Sequence, residues 1–185
     1  GLALIPKEKR NPLGLETRGL GELILHLAEN GVKKMLVGVG GSATNDGGIG
    51  MAAGLGYEFF DENNHRLRPI GSSLGRVARI SAEHVPICWD DIDIEILTDV
   101  SNPLCGQQGA TQVFGRQKGL SEWLLSSVDQ EIRNFYELTN PQIFTQAGAG
   151  AGGGMAAGLV TFAKGKVVSG IDTCLYLLDF DRRVK

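Results

Sequence analysis

Cysteine is scarce in this sequence of 185 residues, and the few cysteines follow no recognisable spacing. Cys88, Cys105 and Cys174 stand far apart and form no CxxC pair. An odd, sparse set of this kind is typical of a reducing compartment and unlike a disulfide framework. We therefore expect a cytoplasmic protein.

Long apolar runs and clustered positive charge are also lacking. No run approaches the ~18 apolar residues that a membrane span needs. The 18 lysines and arginines are scattered over a chain whose net charge is -3. A basic stripe would be the electrostatic footprint of a nucleic acid or anionic lipid partner. The sequence therefore predicts neither nucleic acid nor membrane as a partner.

Two motifs with strict spacing are absent as well. His26, His65 and His84 share no ligand spacing, so we predict no metal site built from protein side chains. The Gly165-Lys166 pair, which is the only Gly-Lys pair, is followed by valine, and this excludes the P-loop consensus.

The sequence does contain an alternation of helical and strand patterns. Residues 16–31 carry apolar side chains at helical spacing, with Thr17 as a candidate N-cap and Gly31 as the C' residue. KKMLVGV fits a strand buried on both faces, and IDIEILTD alternates strictly until Asp99. Further helices are predicted in SEWLLSSVDQEIRNFYELT and GGGMAAGLVTFAKG. Strands interleaved with helices predict an α/β fold, a single three-layer α/β/α domain over residues 1–185 with a mixed sheet.

Both ends of the chain look cut. The chain begins in apolar GLALI and stops just after apolar CLYLLDF, without the polar tail that usually closes a domain. We expect a part of a longer polypeptide, although a compact protein with tidy termini would have similar ends.

GVGGSATNDGGIG, residues 38–50, is the first segment suited to chemistry. Its glycines let a ligand approach the backbone, and the free N–H groups at a helix start attract anions such as phosphate or carboxylate. Short polar side chains add groups for a hydroxyl, a phosphate oxygen or a hydrated metal. A strand-to-helix turn in which these residues only cap the helix stays open. They are Ser42, Thr44, Asn45 and Asp46.

ILTDVSNPLCG supplies a second candidate. Asp99 follows a strand at its carboxyl end, where open α/β sheets gather ligands, and could accept the proton of an attacking hydroxyl. The alternative is an aspartate that caps the following turn. In VFGRQKG, Arg116 and Lys118 could reach one anion if the backbone is extended, or both could be solvated surface cations. We expect Asp99 and the first glycine loop to line a common hollow.

A rival pattern overlaps the first loop. Gly38, Gly40 and Ala43 satisfy G-x-G-x-x-G/A after a strand, and the acidic Glu58 and Asp61 follow about twenty residues on, as a nicotinamide dinucleotide would require. The same pattern recurs in AGAGAGGG, so it has little specificity in a chain with 27 glycines. An oxidoreductase domain stays open, as does a module for metabolite binding or oligomerisation without catalysis.

Three segments together resemble the signatures of the bacterial glycerate kinases of type 1. GVGGSATNDGGIGMAAGLG, ILTDVSNPLCGQQGATQVFGRQKG and AGAGAGGGMAAGL occur in the family's order and at matching separations. KEKRNPL and GLGELI also match the stretch that precedes the first signature. The resemblance covers nearly the whole chain. It implies phosphorylation of D-glycerate by ATP with Mg²⁺, and it favours 2-phosphoglycerate as the product.

The resemblance also implies how the active site is divided. The chain is similar to the second of two α/β domains, which is inserted in a Rossmann-like first domain of the same polypeptide. One side of the active-site cleft would then lie outside this chain, and the isolated chain is expected to have negligible kinase activity. A homo-oligomer is left open.

Site residues are carried over by position from the resemblance. Asp99 matches the family's proposed general base toward the glycerate hydroxyl. The chain departs from the family at Arg116, where the family has proline, and at Thr98, where cysteine is common. Leu15, Glu16 and Leu20 also replace threonines of the family. The residues implied in substrate binding are Ser42, Asn45, Asp46, Asn102 and Lys118. Those implied in binding ATP are Gly40, Gly41, Ser42, Thr44, Gly152 and Gly153.

Overall fold

Helices and strands are interleaved along the chain without strict alternation, and the computed structural model describes residues 1–184. The α-helices are α1 Arg18–Glu29, α2 Ile49–Gly54, α3 Ala110–Phe114, α4 Leu125–Thr139, α5 Ala151–Ala163, α6 Gly170–Leu177 and α7 Phe180–Arg183. The strands are β1 Lys34–Gly38, β2 Glu58–Phe60, β3 Arg79–Ser81, β4 Asp93–Thr98 and β5 Lys166–Ser169. Short 3-10 helices span Leu2–Leu4, Lys7–Lys9, Gly71–Arg76, Trp89–Asp91, Arg116–Lys118, Glu122–Leu124 and Pro141–Thr145.

The strands form two separate sheets. β1, β4 and β5 make a parallel sheet with β4 in the centre, while β2 pairs antiparallel with β3. The α/β class is confirmed, but the parallel and antiparallel pairs do not share the single mixed sheet that we predicted. The chain reverses directly after β2, where the N–H of Asn64 donates to the carbonyl of Asp61. This reversal brings residues 66 and 67 alongside β2, where the N–H of Leu67 donates to the carbonyl of Phe59, and β3 pairs with β2 after a longer connection.

β1 is buried on one face only, which corrects the prediction that both faces are buried. Met35 and Val37 are buried, whereas Lys34 and Leu36 are exposed. On the open face the ammonium of Lys34 contacts the carboxylate of Glu95 in β4 at 2.6 Å. Successive side chains of a strand point to opposite faces, so an apolar run alone does not decide how many faces are covered.

The core combines buried residues of β1 and β4 with those of α2, α4 and α5, and Phe59 of β2 joins it. α5 passes through its middle and contacts β4, β5 and α2. Phe59, Phe135 and Phe162 pack together with ring centroids 5.9 to 6.1 Å apart. A Cβ at Gly158 would lie 2.9 Å from the Cα of Gly48, so only glycine allows this close approach of α5 to the loop before α2.

The ends of α1 agree only in part with the sequence prediction. Gly31 has a φ of +86°, as expected of a residue just past the C-terminus of a helix. Thr17 precedes α1, but its hydroxyl makes no capping bond to the helix and donates to the carboxylate of Asp46 instead. Within residues 1–184, no helix combines the length and apolar composition needed to cross a bilayer.

Candidate functional site

A cavity of about 310 Å³ opens at the carboxyl ends of β1 and β4. Parallel neighbouring strands end at the same edge of a sheet, so the loops that follow them meet there. The glycine loop after β1 and the loop after β4 each form a wall, and residues from the start of α5 and from the 3-10 helix Arg116–Lys118 complete it. The predicted site residues that line it are Gly40, Gly41, Ser42, Asp99, Lys118, Gly152 and Gly153.

Lys118 is the buried cation of this cavity. Only 4% of the residue is exposed, and its ammonium donates to the hydroxyl of Ser42 at 2.9 Å and to the carbonyl of Thr44 at 2.8 Å. Burial lowers the pKa of Lys118 from 10.5 to about 8, and the nearby carboxylate of Asp46 opposes that lowering. An ammonium has three donors, so one N–H is not used by these two hydrogen bonds.

Arg116 does not join Lys118 at the cavity. Its guanidinium is exposed and contacts the carboxylate of Glu122 at 2.6 Å. The hypothesis that both cations reach one anion required an extended backbone, but residues 116–118 form a 3-10 helix. The structure therefore separates the buried lysine from the solvated arginine.

The start of α5 forms the glycine wall of the cavity. Gly152 and Gly153 have φ of +69° and +74°, a left-handed conformation that favours glycine. A Cβ at Gly153 would lie 2.8 Å from the Nζ of Lys118 and would also clash with the carbonyl of Thr44. Glycine is therefore needed here both for the backbone conformation and to keep Lys118 in place.

Asp99 also lines the cavity, just after β4, and is exposed. Its Oδ1 accepts a hydrogen bond from the N–H of Ile171 at 3.0 Å, and the hydroxyl of Ser169 lies 3.4 Å away. Oδ2 accepts no hydrogen bond from the described residues. The carboxylate therefore contacts the N-terminus of α6 and not the turn that follows it in sequence.

The residues that line the cavity do not include Thr44, Asn45 and Asp46, although the sequence analysis predicts that these three bind substrate or ATP. The buried carboxylate of Asp46 accepts bonds from the N–H and hydroxyl of Thr17 and from the N–H groups of Gly48 and Gly50. Burial raises the pKa of Asp46, and these bonds oppose the rise. Asp46 therefore fixes the glycine loop to the start of α1 and does not line the cavity.

The remaining polar residues of the loops also make internal contacts. The amide of Asn45 donates to the hydroxyl of Thr111 at 3.0 Å, while the hydroxyl of Thr44 is buried without a partner among the described residues. The amide of Asn102 donates to the carbonyl of Gln108 at 2.8 Å. The structure thus brings Asn102 near the site's loops but not onto the cavity wall.

Sequence reasoning missed some lining residues and a neighbouring hollow. Leu2 reaches the cavity because its N–H donates to the carbonyl of Gly41 at 2.9 Å, and no motif marks that contact. Gln117 lies within the VFGRQKG signature, which was the one available signal for it. A second hollow of about 360 Å³ lies on the other side of Asp99 and is lined by Gln146 and Ser169, among others.

The structure disagrees with the dinucleotide hypothesis at two points. The carboxylate of Glu58 contacts Arg66 at 3.0 Å and His84 at 3.5 Å, and neither Glu58 nor Asp61 lines the cavity. The strand after the glycine loop, β2, belongs to the antiparallel pair. A nicotinamide site needs the acidic residue on the next parallel strand of a βαβ unit.

No group of three or more histidine, cysteine, aspartate or glutamate side chains in the described part of the chain could hold a metal ion. Asp99 is the one carboxylate among the residues that line the 310 Å³ cavity. Any divalent ion in this cavity would therefore need most of its oxygen ligands from a bound substrate or from water.

Known proteins match the chain along its entire length. The family model described as "Glycerate kinase family" matches residues 1–185. A glycerate kinase from Neisseria meningitidis serogroup B is 54% identical over 184 residues, a match that covers 100% of this chain and 50% of the relative. Glycerate 2-kinase from Escherichia coli K12 is 38% identical over 188 residues, which cover 100% of this chain and 49% of that protein.

A solved structure agrees with the fold described above. The crystal structure of a Salmonella typhimurium LT2 protein assigned as glycerate kinase 2 matches with a TM-score of 0.91 at 35% identity. The match covers 97% of this chain and 50% of the Salmonella chain. The chain thus spans about half the length of the curated relatives it matches.

Proposed function

We propose, because this chain belongs to the glycerate kinase family, that the complete polypeptide transfers the terminal phosphoryl group of ATP to D-glycerate. One observation supports this above all others. A buried ammonium and two glycine-rich backbone segments line the same cavity as a carboxylate that has one oxygen without a hydrogen bond from the described residues. Phosphoryl transfer needs mainly positioning and neutralisation of charge, together with a group that accepts the hydroxyl proton.

Asp99 is the proposed general base. In the step that we assign to it, Oδ2 accepts the proton of a glycerate hydroxyl while that oxygen attacks the terminal phosphorus of ATP. A bond forms between the glycerate oxygen and phosphorus, the bond from phosphorus to the bridging oxygen breaks, and ADP leaves. A base must lie within hydrogen-bond reach of the proton, and Asp99 has the exposed position that this requires.

Lys118 and the glycine segments are the proposed phosphate site. Lys118 and the backbone of Gly40, Gly41, Gly152 and Gly153 all line the cavity. A preorganised cation in a partly dry cavity stabilises the charge of a transferring phosphoryl group. Ser42 contributes by holding the ammonium through its hydroxyl.

Mg²⁺ would enter as part of the substrate, MgATP. The ion is usually held by substrate phosphates, water and one or two carboxylates, without a dedicated cage of protein ligands. Asp99, the one carboxylate among the residues that line the cavity, is assigned to the hydroxyl proton, so the phosphates of ATP and water would supply the ligands of the ion. The ion would supply further neutralisation of the phosphate charge.

We favour 2-phosphoglycerate as the product. The resemblance to the bacterial family favours it, and the relative from Escherichia coli bears the name glycerate 2-kinase. Phosphorus and carbon NMR spectra of the product distinguish the two phosphoglycerates. A signal from 3-phosphoglycerate would contradict this part of the proposal.

This chain would supply one side of the active-site cleft, with a Rossmann-like domain of the same polypeptide on the other. The chain covers about half of its relatives, and apolar side chains near its C-terminus are unusually exposed. Tyr176 is 84% exposed, Leu177 58% and Leu178 54%. Contiguous exposed apolar residues often mark an interface. We expect the isolated chain to have negligible kinase activity.

Glycerate-dependent release of ADP tests the proposal. The assay uses a full-length polypeptide in which this chain replaces the matching half of the Neisseria relative. Asp99→Asn should lower turnover by at least ~10²-fold, the usual scale of general base catalysis. Asp172→Asn, an exposed acid of α6 outside the cavity, is the matched control. Near-normal turnover in Asp99→Asn would remove the residue from its proposed role.

Calorimetry separates the alternative functions. The kinase proposal expects heat of binding from MgATP and from glycerate but none from NADH in the full-length polypeptide. Binding of NADH would favour an oxidoreductase. Binding of glycerate without turnover of ATP would favour a module that holds a metabolite and carries out no chemistry.

A further inference from the structure

The carboxylate of Asp99 lies directly on the first turn of α6. Ile171, the second residue of that helix, donates its N–H to Oδ1 at 3.0 Å. The hydroxyl of Ser169 also donates to Oδ1, at a longer 3.4 Å, while it accepts the N–H of Asp172 at 3.2 Å. The shorter of the two hydrogen bonds to Asp99 is therefore the one from a backbone N–H of α6.

Gly170 lies between these two contacts and is buried against Asp99. A Cβ placed on Gly170 would lie 3.0 Å from Oδ2 of Asp99 and 3.5 Å from its Cγ and Oδ1. At 3.0 Å, a neighbouring atom must give way by a few tenths of an ångström. The backbone of Gly170 is not left-handed, so its conformation alone does not require glycine. An added Cβ would instead press on the carboxylate of Asp99 and displace it.

We propose that Gly170 is a positioning residue for Asp99, which lets the carboxylate rest on the N-terminus of α6 with Oδ1 bound and Oδ2 free. The proposal rests on the role of Asp99 in the proposed function. Fixing one oxygen by a backbone N–H restricts the rotation of the carboxylate and aims the other oxygen. Geometry of this kind affects rate strongly, because a displacement of about 1 Å can lower the rate about 10²-fold.

The test is Gly170→Ala in the full-length polypeptide, with the kinetic constants for glycerate and ATP measured separately. We expect kcat to fall about 3- to 10-fold, because the displacement is a fraction of 1 Å. KM for ATP should stay unchanged, because Gly170 does not line the phosphate side of the cavity. The melting temperature should not fall by more than a few degrees, because alanine suits a helix better than glycine does.

Gly19→Ala is the matched control. Gly19 is also in the first turn of a helix, α1, and a Cβ there would meet nothing within 4 Å. This variant should leave kcat unchanged. Equal kcat in Gly170→Ala and Gly19→Ala would overturn the positioning role.

A second measurement does not depend on activity or on the folding of the Gly170 variant. In the wild-type protein the N–H of Ile171 is held by Asp99, so Asp99→Ala should shift its amide proton resonance upfield and speed its hydrogen exchange. Unchanged exchange at Ile171 would also overturn the proposal. If Asp99→Asn abolishes turnover while Gly170→Ala does not alter it, only the positioning role fails. If Asp99→Asn retains turnover, the proposed function of Asp99 fails.

Discussion

Replacing Lys118 by methionine should separate stability from phosphate binding. The ammonium is buried beside the glycine loop, and its pKa is lowered from 10.5 to about 8. At 1.36 kcal/mol per pKa unit, this lowering means that burying the charged form destabilises the fold by about 3 kcal/mol at neutral pH. Lys118→Met removes that cost and keeps most of the apolar part of the side chain.

The substitution also removes two hydrogen bonds. The carbonyl of Thr44 becomes a buried acceptor without its donor, at a cost of about 1 to 3 kcal/mol. The hydroxyl of Ser42 is only half-buried and can bond to water. The net expectation at pH 7 is a variant that is as stable as the wild type or more stable by up to about 2 kcal/mol.

The difference in the free energy of unfolding between Lys118→Met and the wild type should change sign with pH. Lys118 has a lower pKa when folded than when unfolded, so the unfolded wild type binds more protons between about pH 8 and 10.5. The free energy of unfolding of the wild type therefore rises through that window relative to the variant. Above it the amine is neutral in both states, and the variant should be less stable by about 1 to 3 kcal/mol, because only the hydrogen bond to Thr44 still differs.

Urea unfolding of the 185-residue chain at several pH values, followed by circular dichroism, measures this difference. Lys7→Met, at an exposed lysine, is the control and should show no such crossing. A variant that is several kcal/mol less stable than the wild type at pH 7 would refute the reasoning. A stability difference between the variant and the wild type that does not change between pH 8 and pH 10 would also refute it.

Three further outcomes are expected. KM for ATP in the full-length polypeptide should rise as the pH passes above about 8, because Lys118 loses its charge there, and Lys118→Met should have a high KM that no longer changes in this range. Asp46→Asn should lower the free energy of unfolding by about 2 to 3 kcal/mol, measured in urea, because the amide turns a donor toward groups that already donate. Gly153→Ala should lower the melting temperature and weaken ATP binding, whereas Gly106→Ala, which carries similar backbone strain with nothing within 4 Å of its Cβ, should affect stability alone.

Much of the site was predictable because its residues follow strands. Asp99 and Gly40 each come just after a strand of a parallel sheet, and strand ends at one edge bring their loops together. The long signature segments pointed to the same residues. Such inferences need only the order of elements and the local pattern.

Residue types alone could not sort binding groups from supporting groups. Ser42 and Asp46 are close in one loop and both polar, yet Ser42 lines the cavity while Asp46 is buried against Thr17. Their difference depends on α1, which packs behind the loop. In the same way Arg116 and Lys118 are two residues apart, but a 3-10 helix turns one to solvent and the other inward.

The sequence by itself determined the α/β class, the approximate positions of α1, α4, α5, β1 and β4, and membership of a family, because each of these depends on local periodicity or on contiguous segments. The tertiary structure alone decided that β1 has an open face, that β2 and β3 form a separate sheet, and that Lys118 is buried. These properties depend on contacts between residues far apart in sequence, such as Lys118 and Ser42, which are 76 positions apart. Burial and the pKa of a buried group follow from such contacts, and no local pattern encodes them.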